Sequence, residues 1–206
     1  MAQTITQQIL SRIYGSKRGW VFTQVHFRDL GNEPSIRKAL QNLSERGVIH
    51  RIARGLYLYP QTHPKLGVLS PTSDQIATAL AGKDDLRIQP SGAYAANLLG
   101  LSEQVPAKVV FLTDGTNRKV KVGNQEIILK QTTPKNMATA RRISGLVIQA
   151  LRYLGKERVD DAVVETLARR LTPDDRRQLM KDIRHAPAWI GTIFRRLAEK
   201  DEIAHG

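Results

Sequence analysis

The sequence predicts an α+β protein with an N-terminal winged helix-turn-helix, a small mixed α/β middle unit and a C-terminal helical bundle. Three observations predict this class. Near the N-terminus, helical patterns separated by a glycine turn precede two short strand patterns; the centre carries an apolar strand and a hairpin signal; helical periodicity fills the remainder. We place the boundaries of the three segments at residues 1–60, 61–137 and 138–206.

Two helices are predicted before the first glycine turn. Residues 4–14 carry isoleucines four positions apart, which places them on one face of a helix. Thr23 is a favourable N-cap for a second, shorter helix at residues 24–30. We expect Gly31 to end that helix in the left-handed conformation, which glycine adopts without steric cost.

The next helix, predicted for residues 34–46, is expected to have one buried face and one polar face. A step of about 100° per residue places four apolar side chains on one side. These are Ile36, Ala39, Leu40 and Leu43. The opposite side is suited to hydrogen bonding with bases in the major groove of DNA. The side chains that we expect there are Ser35, Arg37, Lys38, Gln41 and Asn42.

A hairpin is predicted directly after this helix, with strands at residues 48–52 and 56–59. Arg51 and Arg54 lie at or near its tip, where we expect them to contact phosphates or the minor groove. This order of elements is that of a winged helix-turn-helix, which places one helix in the major groove. The alternatives are a protein-interaction module or an ordinary solvated domain, since the shape alone does not determine function.

The charge distribution favours a polyanionic partner. The formal net charge is +13, and residues 1–60 contribute +6 of it, from nine Lys and Arg against three Asp and Glu. Residues 61–137 contribute +3 and residues 138–206 contribute +4. The excess is therefore densest in the predicted winged helix, as expected for a protein that binds the phosphate backbone of DNA.

The N-terminus carries no basic region followed by an apolar stretch, and no run approaches the length of a membrane span. The chain has no cysteine, which excludes disulfides, thiolate zinc sites and cysteine nucleophiles. We expect a cytoplasmic protein that does not bind membranes.

The middle and C-terminal segments contain a series of further elements. Residues 60–71 have the composition of a linker, with few regular signals. Helices are predicted at residues 72–81 and 92–99, and strands at 86–89, 108–113, 120–122 and 126–129. Helices are predicted at residues 139–154, 159–171 and 188–200, with another beginning at Thr172.

No pattern in the chain predicts catalysis. We find no phosphate-binding glycine loop and no nucleophile elbow, and the five histidines lack metal-ligand spacing. Three Asp-Asp pairs occur at 84–85, 160–161 and 174–175, but neighbours on a helix point about 100° apart and do not form a dyad by themselves. We therefore expect no enzymatic activity, cofactor or metal.

Four Arg-Arg pairs recur in the C-terminal segment, each near a helix end. One interpretation is a solvated face, partly paired with Asp160, Asp161, Glu165 and Asp182. The other is a docking surface for an acidic partner, or an additional contact with DNA flanking the site. The candidates for such a contact are Arg141, Arg142, Arg169, Arg170, Arg195 and Arg196; the fourth pair is Arg176-Arg177.

Several short motifs resemble one known family. The first group lies in residues 27–57: Gly31, Ala39-Leu40, Leu43, Gly47, Arg51 and Arg54-Gly55-Leu56-Tyr57. The second group is Pro90-Ser91-Gly92, Ala95-Ala96-Asn97, Leu99-Gly100-Leu101, Val105-Pro106-Ala107-Lys108 and Thr113-Asp114-Gly115. Over about residues 1–135 the chain resembles the AbiEi-type antitoxins of abortive-infection, type IV toxin–antitoxin systems.

This resemblance implies a specific biological role. Members of that family are bacterial antitoxins that bind inverted repeats in their own promoter and repress it. They counteract a nucleotidyltransferase-like toxin through their C-terminal part, often without a stable complex. By this resemblance, residues 1–60 are the DNA-binding domain and residues 61–137 an antitoxin-like domain.

Two alternatives remain beside this role. The first is an ordinary winged-helix transcriptional regulator whose C-terminal domain binds a ligand or a protein. A neighbouring nucleotidyltransferase gene would favour the antitoxin over this regulator. The second is an enzyme that acts on nucleic acid and uses the winged helix for targeting, which metal-dependent cleavage or nucleotide transfer by the purified chain would reveal.

Overall fold

A helix-turn-helix followed by a β-hairpin forms the N-terminal part of the computed structural model, which describes residues 4–82 and 86–204. The elements are α1 (Ile5–Gly15), β1 (Val21–Thr23), a 3-10 helix (Gln24–Leu30), α2 (Glu33–Glu45), β2 (His50–Ala53) and β3 (Leu56–Leu58). The α+β class predicted from the sequence is confirmed.

Strand β1 completes a three-stranded antiparallel sheet in the order β1-β3-β2. Val21 lies opposite Leu58 and Thr23 lies opposite Leu56. Strand β1 was not predicted, because its three residues are all buried and show no alternation of polar and apolar side chains. Strand β2 pairs only with β3 and is an edge of this sheet.

The core of this part lies between α1, α2 and the sheet. The predicted apolar faces are confirmed, since Ile9 and Ile13 of α1 and the four apolar residues of α2 are at most 3% exposed. Phe22 and Phe27 are fully buried in the same cluster, with their ring centroids 5.5 Å apart. Burial of one such large side chain contributes about 1.5–3 kcal/mol to folding.

The prediction of a left-handed Gly31 was wrong. Its φ is 165°, which is extended backbone that any residue can adopt. A Cβ at this position would lie 2.7 Å from Cδ1 of Ile5 on α1. The close approach of α1, and not a left-handed turn, therefore accounts for glycine between the two helices of the motif.

Residues 60–71, which have the composition of a linker with few regular signals, nevertheless carry some regular structure. They contain a small hairpin of two strands, β4 (Thr62–His63) and β5 (Gly67–Val68). Strands of two residues are too short to give a period-two signal. The helix that follows, α3 (Ser73–Ala81), has Thr72 as its N-cap and Gly82 after its end, close to the bounds of 72–81 predicted from the sequence.

The rest of the described chain forms a four-stranded sheet, six α-helices and two short 3-10 helices, Lys156–Arg158 and Ile183–His185. The strands and α-helices are β6 (Ile88–Ser91), α4 (Gly92–Leu98), β7 (Lys108–Thr113), β8 (Arg118–Val122), β9 (Gln125–Gln131), α5 (Pro134–Met137), α6 (Ile143–Leu154), α7 (Asp161–Arg170), α8 (Pro173–Lys181) and α9 (Ala188–Ala204). The sheet order is β6-β7-β9-β8. Over residues 4–82 and 86–204, no helix combines the length and apolar character needed to cross a membrane.

The predicted helix at residues 139–154 begins later than expected, at Ile143. Arg141 has a φ of 65°, the left-handed region that side chains other than glycine rarely adopt, and it separates α5 from α6. No proline or glycine marks this break in the sequence, so the helical pattern gave no sign of it.

The chain forms two compact units. One comprises residues 1–86 and 120–127, and the other comprises residues 87–119 and 128–206. This grouping differs from the three segments drawn from the sequence, because α4 and the C-terminal helices bury their apolar faces in one cluster. The helical pattern that begins near residue 138 in the sequence therefore marks a change of secondary structure within one core and not a boundary between two units.

A buried carboxylate anchors the helices of the second unit. Asp182 is 3% exposed and accepts hydrogen bonds from Arg142 at 2.6 Å, Ser144 at 2.5 Å and Gln178 at 2.8 Å. Burial by itself raises the pKa of Asp182, but the bonds from Ser144 and Gln178 and the charge of Arg142 outweigh it. The pKa of Asp182 therefore lies below its ordinary value.

This lowered pKa predicts an acid-sensitive contribution to stability. The contribution is fully present above the pKa of an unfolded aspartate and is lost as the pH falls through the lower pKa of folded Asp182. We expect Asp182→Asn to reduce the free energy of unfolding at pH 7 by about 1–3 kcal/mol, because a charged acceptor of three hydrogen bonds is removed. The difference from wild type should shrink in acid, which urea unfolding at pH 7 and pH 3 measures.

Asp174→Asn is the matched control, since the Asp174 side chain is 86% exposed and pairs with Arg177 at the surface. It should change the free energy of unfolding by less than about 1 kcal/mol. Equal effects of the two substitutions at pH 7 would show that the buried network does not stabilise the fold.

Candidate nucleic-acid interface

Helix α2 is fixed at its start and along one face. The side chain of Asn32 caps it by accepting the backbone N–H of Ser35 at 3.0 Å. Pro34 occupies the first turn, and Glu33 places a negative charge near the positive end of the helix dipole. Because the apolar face is buried, the opposite face must point to solvent.

The structure places the five predicted groove-facing residues on this outer side of α2. Arg37, Lys38, Gln41 and Asn42 are exposed, while Ser35 is half-buried. Their common location was predicted from the 3.6-residue period of the helix. Their contact with DNA stays a prediction.

Two of these side chains are held by carboxylates of the same helix. Arg37 Nη2 donates to Glu33 Oε1 at 2.8 Å, and Gln41 Nε2 donates to Glu45 Oε1 at 2.9 Å. Lys38 and Asn42 have no side-chain hydrogen bond or ion pair within the described part of the chain. Arg37 and Gln41 therefore each have a side-chain donor engaged within α2, whereas the side chains of Lys38 and Asn42 do not.

Both predicted wing arginines are exposed. Arg51 lies on edge strand β2, and Arg54 lies in the turn that leads to β3. Gly55 follows with a φ of 71°, the left-handed conformation that the tight turn requires. The register of β2 against β3 shifts between Arg51 and Ala53, so a bulge bends the strand just before the tip.

Sequence reasoning missed Arg12 as a residue that positions the motif. Its Nη1 donates to the carbonyl oxygen of His26 at 2.7 Å, and its Nη2 lies 2.5 Å from Oδ2 of Asp29. The guanidinium carbon also lies 5.7 Å from the centre of the Phe27 ring. The hydrogen bond to Asp29 raises the pKa of Arg12, although burial acts in the opposite direction. Arg12 therefore ties α1 to the 3-10 helix.

His26 is half-buried at the start of the 3-10 helix. Its Nδ1 accepts the backbone N–H of Thr23 at 3.2 Å. Its ring meets the edge of Trp20, with centroids 5.6 Å apart.

No local sequence pattern could have indicated the Arg12 and Asp29 pair, because the two residues belong to different helices.

The six candidate arginines of the second unit have different surroundings. Arg142 binds the buried Asp182, and Arg196 Nη2 lies 2.5 Å from Oδ1 of Asp161. Arg169 donates to Thr166 at 3.4 Å, and the Arg170 guanidinium lies beside Gly100. Arg141 and Arg195 are exposed. The ion pair of Arg196 favours the solvated-face interpretation, whereas Arg142 binds a buried carboxylate, and contact with a partner stays a prediction for all six.

Residues 4–82 and 86–204 contain no group of three or more His, Asp or Glu positioned to hold a metal ion. Asp84 and Asp85, one of the three acid pairs of the sequence, lie outside the described residues, as does His205.

The fold and the surface of α2 define a class: an α+β protein with a winged helix-turn-helix that exposes the polar face of its second helix. The chain belongs to a family of unknown function, DUF6088, whose model matches residues 8–179. The match begins in α1 and ends in α8, so it takes in most of both compact units. No curated protein matches the chain.

The position of Arg12 predicts a structural role for this cation. Arg12→Lys keeps the charge but removes the planar fork that binds the Asp29 carboxylate and the His26 carbonyl together. We expect the free energy of unfolding to fall by about 1–2 kcal/mol, measured by urea unfolding at pH 7. Arg46→Lys, at the exposed end of α2, should change it by less than about 0.5 kcal/mol. Equal values for the two variants would contradict the assignment.

Proposed function

We propose that this chain is a sequence-specific DNA-binding protein and that α2 enters the major groove. The observation that supports this most directly is the outer face of α2. It presents four exposed polar side chains from a helix whose other face is fixed in the core. A recognition helix in a winged helix-turn-helix makes its base contacts from such a face.

The residue types on this face suit base recognition. Arginine donates two hydrogen bonds to O6 and N7 of guanine, and glutamine or asparagine pairs in the same way with N6 and N7 of adenine. Each well-placed pair of this kind contributes about 1–3 kcal/mol to discrimination between bases. Arg37 and Gln41 lie one helical turn apart, so in this proposal they contact successive parts of one site.

The wing supplies the second contact in this proposal. Arg51 and Arg54 are exposed next to the edge of the sheet, where they meet phosphates or the minor groove beside the base contacts. The charge of +6 in residues 1–60 supports binding to a polyanion. Such binding weakens as the salt concentration rises.

The biological role that we propose is that of an autoregulating antitoxin. The resemblance to AbiEi-type antitoxins supports it. In this role the chain acts in the bacterial cytoplasm, binds inverted repeats in its own promoter and counteracts a nucleotidyltransferase-like toxin, which does not require a stable complex with that toxin. It needs no cofactor and performs no catalysis of its own.

The DNA contacts predict two kinds of mutant. Arg37→Ala and Gln41→Ala should each lose about 1–3 kcal/mol of preference for one base, because a base edge loses its partner. Arg54→Ala should weaken binding to all sequences alike and reduce the slope of log affinity against log salt by about one. Both effects are measured by footprinting on the DNA upstream of the gene that encodes this chain, and by titration of that DNA and of random duplex with each variant. Both measurements are made at two salt concentrations.

Arg158→Ala is the control, since Arg158 is exposed in the second unit and belongs to no Arg-Arg pair. It should leave sequence preference unchanged. If all the variants lose the same affinity on specific and random DNA, then α2 does not recognise bases.

The antitoxin role predicts that co-expression of the full-length chain restores the growth of cells arrested by a nucleotidyltransferase-like toxin encoded beside it. An Arg37→Ala/Gln41→Ala double variant should lose promoter repression but keep this rescue. The full chain is needed because a cut between residues 60 and 61 would divide the first compact unit. Promoter binding without rescue would favour the ordinary transcriptional regulator.

A further inference from the structure

One carboxylate oxygen on the candidate interface is shared by two donors from different helices. Oε1 of Glu33 accepts Nε2 of Gln24 at 3.0 Å and Nη2 of Arg37 at 2.8 Å. Gln24 is the first residue of the 3-10 helix, and Arg37 is on α2. The chain of bonds therefore crosses the turn of the helix-turn-helix on its solvent side.

The charge of Glu33 is stabilised by these contacts. The hydrogen bonds from Arg37 and then Gln24, together with the charge of Arg37, lower the pKa of its carboxyl group. Glu33 is therefore ionised at neutral pH. It places a negative charge in the first turn of α2, the end of a recognition helix that enters the groove.

We propose that Glu33 is a positioning residue for base recognition and that Gln24 orients it. The proposal rests on the proposed function and names a determinant of specificity at the same site. Glu33 holds the guanidinium of Arg37 toward the N-terminal end of α2 before DNA arrives. Less side-chain freedom is then lost when Arg37 meets its base.

The carboxylate also has a second effect on selectivity. Arg37 neutralises the charge of the Glu33 carboxylate. A DNA sequence that draws Arg37 away leaves this negative charge without its partner near the phosphates, and binding to that sequence is weakened. A guanine that accepts two hydrogen bonds compensates this loss, and a random base does not. Specificity is a difference of affinities, and it increases when wrong partners are penalised.

A role in stability alone does not explain this arrangement. The Glu33 and Arg37 side chains are 59% and 66% exposed, and exposed pairs four residues apart stabilise a helix only weakly. Gln24 adds a bond from a second helix to the same oxygen, which a simple pair within α2 would not require.

The test is a double-mutant cycle on DNA binding with the full-length protein. Wild type first selects a preferred duplex from a random pool, and the position at which Arg37→Ala weakens the preference most is identified. Base preference at that position is then measured for Glu33→Gln, Arg37→Ala and the double variant. All substituted residues are exposed or half-buried, so thermal unfolding should show that each variant folds as wild type does.

We expect Glu33→Gln to lower this preference by roughly three- to tenfold in the wild-type background, as coupled neighbours do. In the Arg37→Ala background the same substitution should change it by less than about twofold. Its affinity for random duplex should rise, because a negative charge is removed.

Two further variants separate position from charge. Gln24→Ala removes the bond that orients Glu33, so it should lower the preference at the Arg37 position. Because it leaves the net charge unchanged, the salt dependence should stay as in wild type. Glu45→Gln removes the same charge from the other end of α2, where Gln41 is its partner. It should raise affinity for random duplex and leave preference at the Arg37 position unchanged.

The outcomes are distinct. If wild type selects no sequence, the proposed function fails and this inference fails with it. If wild type selects a sequence but Glu33→Gln keeps full preference at the Arg37 position, or changes it equally with and without Arg37, this inference alone is overturned. The same holds if Glu45→Gln lowers that preference as much as Glu33→Gln does.

Discussion

The packing of the apolar face of α2 is the constraint on which the candidate interface depends. Ile36, Leu40 and Leu43 are at most 1% exposed and share a cluster with α1 and the two buried phenylalanines. Rotation of α2 about its axis would expose these side chains, at a cost of about 1.5–3 kcal/mol for each. The core therefore determines that Arg37, Lys38, Gln41 and Asn42 face outward, although none of these residues contributes to the core.

The basic side chains of this protein fall into two groups, those that bind carboxylates within a unit and those that are exposed at the surface. Only the structure distinguishes the two groups. Arg12 and Arg142 donate to carboxylates inside a unit, where a guanidinium can satisfy several acceptors in one plane. Lys38 and Arg54 expose their charge at the surface of the winged helix. The net charge of +13 therefore does not by itself say which cations are exposed to a polyanion. The arrangement of arginines around acids is as informative as their number.

Local signals predicted the parts of the fold that depend on local physics. The buried strand at residues 108–113 and the helix that begins after Thr172 were found because apolar runs and capping residues act within a few positions. Strand β1 and glycine at position 31 depend on contacts with β3 and Ile5, far away in sequence. Of the candidate site, the outer face of α2 followed from periodicity, but the bond from Gln24 to Glu33 joins two helices and gave no pattern.

Each compact unit is built from two separate stretches of the chain, which limits how functions can be assigned to segments of the sequence. Residues 120–127 group with the N-terminal unit, and residues 87–119 group with the C-terminal helices. Neither unit is therefore a continuous stretch of sequence, and any truncation at a predicted segment boundary removes part of one core. A DNA-binding role and a second role cannot be assigned by cutting such a chain, because loss of either activity would also follow from loss of folding. Exposed side chains such as Arg37 and Arg54 can be changed without touching either core, so surface substitutions are the changes that test the two proposed roles separately.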